Sequence, residues 1–135
     1  MFGSENVQSM TVTFGDPAAD AKSIMLWRAP KACEILRAYI SVATAQGAGS
    51  AGEFALHNFG TAGTAIKSSG GTVAAAKGGT ATASRLSANT PAAYTISEGT
   101  MAEGEYLFCQ YEETGDYTEG VVSITWDYTL GIAAA

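Results

Sequence analysis

Apolar and polar side chains alternate near the C-terminus, over residues 121–130. The apolar side consists of Val122, Ile124, Trp126, Tyr128 and Leu130. A period of two places successive side chains on opposite faces of an extended chain, whereas an amphipathic helix needs a period of about 3.6. The run therefore predicts a β-strand that has one face on a core and the other face exposed.

The run before it, residues 106–111, is apolar on both of its faces. A short acidic segment with Thr114-Gly115-Asp116, a sequence typical of a turn, separates the two runs. We therefore expect them to form an antiparallel hairpin. We also expect one face of residues 106–111 to pack on the core and the opposite face to be covered by a further surface.

Strand patterns recur along the rest of the chain. They predict strands at residues 7–14, 23–28, 33–45, 53–59, 72–76, 80–86 and 91–96. Asp16 followed by Pro17 predicts one helical turn within residues 16–22. About eight strands with glycine-rich turns predict an all-β fold, an antiparallel β-sandwich. We assign residues 1–8 to an N-terminal arm, 9–131 to the single sandwich domain and 132–135 to a C-terminal tail.

The run at residues 33–45 predicts which large side chains point away from the core. Its alternation assigns Leu36 and Ile40 to the inner face. Ile35 and Tyr39 then lie on the outer face, where we expect another surface to cover them.

The composition limits both the core and the partners. Hydrophobic residues make up 47% of the chain, but many are alanine, and Leu, Ile, Val and Phe together reach only about 18%. A core this thin predicts support from a partner surface, and a second copy of the chain is the simplest source. A net charge of −6 offers no basic footprint for nucleic acid and disfavours an anionic membrane.

The N-terminus lacks the features of a signal peptide, so we expect synthesis and folding in a cytoplasm. Cys33 and Cys109 are far apart in sequence and have no ligand-spaced partner. In a reducing compartment they are predicted to be buried thiols, with a disulfide as the less favoured alternative.

No motif predicts catalysis or cofactor binding. Residues 47–52 match G-x-G-x-x-G, but the dinucleotide motif also needs a helix at the third glycine, and strand-like residues follow instead. Neither Lys67 nor Lys77 lies in a phosphate-loop sequence. His57 is the only histidine, and no G-x-S-x-G sequence provides a nucleophile, so we expect a structural role for it.

Four carboxylates near the expected hairpin tip could in principle hold calcium. They are Glu112, Glu113, Asp116 and Glu119. Their spacing does not match a calcium-loop pattern, so we interpret them as a solvated turn and expect no metal.

The order of these elements resembles a known group of virion proteins. A strand pair within residues 33–59, a Gly/Ala/Thr-rich middle, Gly104-Glu-Tyr-Leu-Phe-Cys109 and residues 120–128 follow one another before a short tail. In this the chain is similar to small virion proteins of tailed bacteriophages, and most similar to capsid decoration (cement) proteins. The resemblance implies a jelly-roll-like sandwich and a non-enzymatic protein that binds the outer capsid surface and stabilises the head.

The same resemblance implies the partners and the location. The partners are the major capsid protein and further copies of the chain, as a homotrimer, with an N-terminal arm in the contact. The location is the virion surface, after synthesis in the host cytoplasm. The arm and the large side chains predicted to face outward together predict an oligomer or capsid interface. Its residues are Phe2, Val7, Ile35, Tyr39, Tyr106 and Tyr111.

Two other function classes stay open. Strand aromatics on a sandwich also occur in carbohydrate-binding modules and adhesins, which makes glycan binding the alternative. A hydrolytic enzyme is the third class, and the missing nucleophile and base disfavour it.

Overall fold

A computed structural model gives the fold and describes residues 7–15, 21–47, 51–79, 82–114 and 120–131. These residues form nine strands and confirm the predicted all-β sandwich. The strands are β1 (Val7–Gly15), β2 (Ala21–Arg28), β3 (Cys33–Val42), β4 (Ala51–Asn58), β5 (Thr72–Lys77), β6 (Ala92–Ala93), β7 (Thr100–Met101), β8 (Tyr106–Thr114) and β9 (Val121–Leu130).

The strands form two antiparallel sheets with the topology of a jelly roll. Sheet A has the order β1-β9-β3-β6, with the two-residue β7 also paired to β3, and sheet B has the order β2-β8-β4-β5. Four pairs are nested along the chain, namely β1 with β9, β2 with β8, β3 with β6 and β4 with β5. This is the pattern of one long hairpin rolled up, so that the chain crosses repeatedly between the two sheets. The successive strands that share a sheet are β4 with β5 and β6 with β7.

The predicted hairpin of β8 and β9 is wrong. β9 lies between β1 and β3 in sheet A, whereas β8 lies between β2 and β4 in sheet B. The two runs have the predicted strand conformation, but the connection between them passes from one sheet to the other. Rolling the chain up gives each run a partner that is distant in sequence.

The core lies between the sheets and contains the predicted face of β9. Val122, Ile124 and Trp126 are fully buried there, and Tyr128 is 6% exposed. Trp27 of sheet B packs against both aromatic rings, with centroid distances of 5.8 Å to Trp126 and 4.6 Å to Tyr128. The alternation in residues 121–130 therefore identified the core face correctly.

Ile35 lies in the core, which contradicts its predicted outer position. The pairing of β3 with β9 shifts register between Ile35 and Arg37, as at a β-bulge. The extra residue, Leu36, interrupts the alternation, so that both Ile35 and Ala38 point inward and are 1% exposed. Before the bulge the faces are therefore the reverse of those that an unbroken strand would have.

Tyr111 also lies in the core, although it was predicted at an interface. It is fully buried, and its ring lies 4.9 Å from that of Phe54. The outer side of β8 is covered by the chain itself, because Phe59, just after β4, stacks on Phe108 at 4.0 Å with an interplanar angle of 10°. The covering surface expected in front of residues 106–111 is thus supplied within one chain.

The small-residue middle region contains one of the two strands predicted there. β5 matches the prediction, but the predicted strand at residues 80–86 is wrong, since Thr82–Ser84 forms a 3-10 turn. The buried Gln46 side chain fixes this segment. Its Oε1 accepts hydrogen bonds from the Gly79 and Leu86 amides, and its Nε2 donates to the Gly52 carbonyl.

The predicted arm and tail fall largely outside the described residues. Val7 and Gln8, which we had assigned to the arm, are part of β1 and pair with Thr129 and Tyr128. Residues 1–6 and 132–135 lie outside the described ranges, as do residues 16–20 of the predicted helical turn.

Candidate interaction surfaces

Hydroxyl groups form a ladder on the outer face of sheet A. Thr11 of the edge strand β1 shares a hydrogen bond of 2.8 Å with Thr125 of β9. One step along the same strands, Thr13 shares a hydrogen bond of 3.0 Å with Ser123. Small side chains bonded to one another across rigid strands make this face flat and neutral in its central part.

An ion pair lies at one end of this ladder. Asp127 accepts hydrogen bonds from the Ser9 hydroxyl at 2.6 Å and from the Arg37 Nε at 2.8 Å. These two donors, in that order, hold the pKa of the Asp127 carboxyl below its ordinary value despite partial burial. The Arg37 side chain is half exposed, so solvent screens the pair, and it orients the strands more than it stabilises them.

A shallow open groove crosses the same face. It has a volume of about 360 Å³ and is lined by Tyr39, Ile40, Ser41, Pro91, Ser123 and Thr125. Tyr39 pairs with Thr125 across β3 and β9, and with Ala93 on its other side. Its half-buried side chain therefore lies in the same groove as the hydroxyl-bearing Ser41 and Thr125. Such a groove can accept a neutral group that stacks on an aromatic ring.

The structure does not bring the six predicted interface residues together. Val7 and Tyr39 both lie on strands of sheet A, and Val7 is 42% exposed. Tyr106 lies on β8 of sheet B, half-buried, with its ring 6.5 Å from that of Phe108. Ile35 and Tyr111 are core residues, and Phe2 lies outside the described residues.

The segment between β4 and β5 packs over the outer face of sheet B. A Cβ at Gly63 would lie 3.0 Å from the Tyr106 ring, which shows how closely the segment approaches β8. Met25 of β2 pairs with Phe108 and is 54% exposed, and Ile66 in the covering segment is 41% exposed. These two are the most exposed large apolar side chains on this part of the molecule.

A buried carboxylate holds the covering segment in place. Glu105 Oε1 accepts hydrogen bonds of 2.8 Å from Asn58 Nδ2 and from the Ala102 amide. Its Oε2 lies 2.9 Å from Lys67 Nζ. Burial alone would raise the pKa of Glu105, but the hydrogen bonds and the lysine outweigh it and the net shift is downward. Sequence patterns gave no indication of this cluster, because its members are far apart in the chain.

His57 lies in a depression without a nucleophile in its lining. The depression is lined by Glu53, Ala55, His57, Ala76, Gln110 and Glu112. Burial lowers the pKa of His57, and a hydrogen bond with the Gly71 backbone opposes that effect. The buried Nδ1 has no hydrogen-bond partner within the described residues. The lining offers this imidazole no hydroxyl or thiol to activate.

The two cysteines are free and buried, as predicted. Burial, and to a smaller extent the charge of Glu105, raises the pKa of Cys33 to about 11. Burial raises the pKa of Cys109 to about 12. Both thiols are therefore protonated at neutral pH and are poor nucleophiles.

The remaining sequence candidates are only partly described. Gly52, the third glycine of the G-x-G-x-x-G match, lies in β4 instead of at the start of a helix. Glu112 is exposed on β8, while Asp116 and Glu119 lie outside the described ranges, as does the side chain of Glu113. Within those ranges, no three His, Cys, Asp or Glu side chains are grouped so that they could hold a metal. The described part of the chain also contains no helix with the length and apolarity of a membrane span.

Comparison with known proteins shows a likeness of fold. No protein-family model matches the chain, and no curated protein matches it in sequence. It superimposes on a chain of the cyanophage Pam1 capsid asymmetric unit with a TM-score of 0.54 and 16% identity, over 93% of this chain and 85% of that one. A chain of infectious bursal disease virus, Gx strain, gives a TM-score of 0.43 and 15% identity, over 93% of this chain but 32% of that one. The first of these matches shows that the two-sheet sandwich is shared with a chain from a virus capsid structure.

Proposed function

We propose that this protein is a non-enzymatic structural component of a virion that binds the outer capsid surface and stabilises the head. One observation carries the proposal: the likeness to a chain of a cyanophage capsid asymmetric unit extends over 93% of this chain and 85% of the other. Nearly the whole of each chain is therefore the same sandwich. The order of sequence elements independently resembles capsid decoration proteins.

The partners in this proposal are the major capsid protein and further copies of the chain. The resemblance implies three copies at the capsid surface, after synthesis in the host cytoplasm. Among the predicted contact residues, Val7 and Tyr39 stay accessible on sheet A, and its flat hydroxyl face offers a broad contact area. The proposal therefore assigns the outer face of sheet A to the shell, together with the arm that contains Phe2.

The direct test compares virions with and without the gene. Mass spectrometry of purified particles should find the chain, and deletion particles should release their genome at a lower temperature. Adding the purified protein back should restore the higher temperature, because a bound protein stabilises the state that it binds. Absence of the chain from purified particles would refute the proposal.

Two matched variants test which face binds the shell. Tyr39→Ser changes the groove on sheet A, and Met25→Ser changes an exposed apolar side chain on sheet B. Binding to deletion particles should weaken for Tyr39→Ser and stay unchanged for Met25→Ser. The reverse result would assign the contact to sheet B while leaving the virion role intact.

The groove also favours a second candidate function, glycan binding. The Tyr39 ring beside Ser41 and Thr125 has the combination of a stacking surface and hydroxyl groups that a sugar ring can use. A glycan array is the test, with Tyr39→Ala as the control that should lose any signal. An array without signal would remove this candidate and would leave the virion role untouched.

A further inference from the structure

Three of the four edges of the described sheets are protected against pairing with another chain. The edge of sheet A opposite β1 consists of β6 and β7, which are only two residues long each. On sheet B, β5 is six residues long, has two register shifts and ends in Lys77. β2 carries Lys22 and Arg28 and is bulged between Met25 and Trp27. Short length, charge and bulges are the usual means by which a sheet edge avoids a second strand.

The fourth edge, β1, has none of these protections. Its nine residues contain no charged side chain and no proline. It pairs with β9 over its full length, from Val7 to Gly15, without a register shift. An uncharged edge of this length and regularity presents a row of free backbone amides and carbonyls, which is a template for a further strand.

Every residue of β1 is exposed or half-buried, so the described part of the chain does not cover this edge. On the inner side, Met10, Val12 and Phe14 pack against the core but stay half-buried. They lie at the edge of sheet A, and one more strand beside β1 would bury their exposed sides.

We propose that β1 pairs with β1 of a second copy of this chain, antiparallel and about a two-fold axis at Thr11. The A sheets of the two copies would then form one continuous sheet. Thr11 is the midpoint of Val7–Gly15, so an axis there opposes all nine residues to their counterparts. Moving the axis along the strand leaves residues at both ends without partners.

The side chains of β1 are complementary to themselves about this axis. On the outer face Ser9 would lie opposite Thr13 of the second copy, and Thr11 opposite Thr11. This extends the arrangement that each chain already has, where Thr11 and Thr13 are bonded to the hydroxyls of Thr125 and Ser123. On the inner face Met10 would lie opposite Val12, which continues the apolar layer.

The absence of charged residues from β1 allows two copies of this strand to pair, and the net charge of the whole chain determines how the pairing should respond to salt. No charged residue of one β1 would face a charged residue of the other. Each chain has a net charge of −6, so two copies repel each other at long range and added salt should strengthen the pairing. The contact is two-fold and therefore distinct from the contact within the proposed trimer, and it does not depend on capsid binding.

Disulfide trapping tests the axis directly. Residues directly opposite each other in an antiparallel pair have Cα atoms about 4.5–5.5 Å apart, within the range that a disulfide spans. Thr11→Cys should therefore give a covalent dimer on mild oxidation, while Ser9→Cys alone should not. A mixture of Ser9→Cys and Thr13→Cys should give the mixed dimer. The wild type is the control, because Cys33 and Cys109 are fully buried.

A charge variant tests the pairing without oxidation. Thr11→Lys adds two facing ammonium groups at the axis on an exposed position, and Thr72→Lys adds the same charge on the protected strand β5. Light scattering at micromolar concentration should show the wild type and Thr72→Lys at twice the mass of Thr11→Lys. Circular dichroism confirms that each variant is folded. An unchanged mass in Thr11→Lys, or no cross-link in Thr11→Cys, would overturn the proposal.

Discussion

Replacing Trp126 by alanine should destabilise the domain more than most other single changes. The side chain is fully buried and packs against Trp27, with ring centroids 5.8 Å apart. A buried tryptophan removes about 150–250 Å² from water, which at about 25 cal/mol per Å² is roughly 4–6 kcal/mol. Measured costs for such truncations are about 3–5 kcal/mol, because neighbouring groups relax into part of the cavity. We therefore expect a loss of about 3–5 kcal/mol in the free energy of unfolding.

A second variant at the same position separates packing from polarity. The Nε1 of Trp126 is buried without a hydrogen-bond partner among the described residues, and such a donor costs about 1–3 kcal/mol. Trp126→Phe removes that donor and keeps an aromatic ring, so it should cost less than about 2 kcal/mol. Similar losses for the two variants would show that the indole N–H is satisfied in solution.

Urea unfolding followed by far-ultraviolet circular dichroism measures both changes. Val121→Ala is the matched control, because Val121 begins the same strand but is 49% exposed, and it should change stability by less than about 0.5 kcal/mol. If Trp126→Ala lost less than about 1 kcal/mol, the assignment of this face to the core would be refuted.

Three further outcomes follow from the local geometry. Glu105→Gln should cost about 1–3 kcal/mol at neutral pH and should flatten the acid limb of the stability curve. The folded-state pKa of Glu105 lies below its ordinary value. Its carboxylate therefore contributes stability at pH values above the unfolded-state pKa, and this contribution is lost as the pH falls through the folded-state pKa. If the stability of the variant fell with pH as steeply as that of the wild type, this would be contradicted. Gly99→Ala should cost about 1–3 kcal/mol in thermal unfolding, since its Cβ would collide with the Ile35 carbonyl oxygen; an unchanged melting temperature would show that the backbone yields there. Cys33 and Cys109 should both resist a thiol reagent in the native protein and react in urea, and rapid native labelling of either would mean that its strand opens readily.

The strands with unbroken alternation were predictable from the sequence, and the reason is physical. On β9, from Val122 to Tyr128, each change of polarity corresponds to a change of burial, and the pairing with β1 has no irregularity. The same logic failed on β3, where the bulge after Ile35 reverses the faces. A bulge of one extra residue has no distinctive residue type here, so the sequence before and after it reads as one continuous alternating strand.

Strand pairing was less predictable than strand position. The rule that neighbouring strands form hairpins led to the pairing of β8 with β9, and a jelly roll violates that rule at this connection. The pair β1–β9 joins the two ends of the described chain, so no local turn signal marks it. The jelly-roll character came from the resemblance to virion proteins instead of from the periodicity.

The middle region shows why small residues predict poorly. In residues 80–86, alternating Thr and Ala suggested a strand, but neither type is apolar or polar enough to select a face. The segment is fixed by Leu86, which is 4% exposed, and by the hydrogen bonds of the Gln46 side chain to Gly79 and Leu86. A single buried glutamine from a distant part of the chain cannot be inferred from a local pattern.

The sequence assigned Tyr39 to the correct face of its strand but missed the Glu105 cluster and the unpaired edge of β1. Tyr39 follows the bulge, where the alternation again gives the correct face. Glu105 depends on Asn58 and Lys67, which approach it only in the fold. The unpaired edge of β1 did have a sequence signal, since residues 7–15 contain no charged residue and no proline. That signal indicates a pairing site only once the strand is known to lie at the edge of a sheet.

The structure changes the physical reason for expecting association. From the sequence, a thin core was expected to leave Ile35, residues 106–111 and Tyr39 exposed unless a second copy covered them. Ile35 and Tyr111 are covered in the core, and Phe59 stacks on Phe108 from the same chain. Incomplete burial of Ile35 and of residues 106–111 therefore no longer argues for an oligomer, although Tyr39 stays half-buried. What argues for one is the backbone of β1, because its free amides and carbonyls meet no strand in the described chain and its neutral side chains do nothing to keep another strand away.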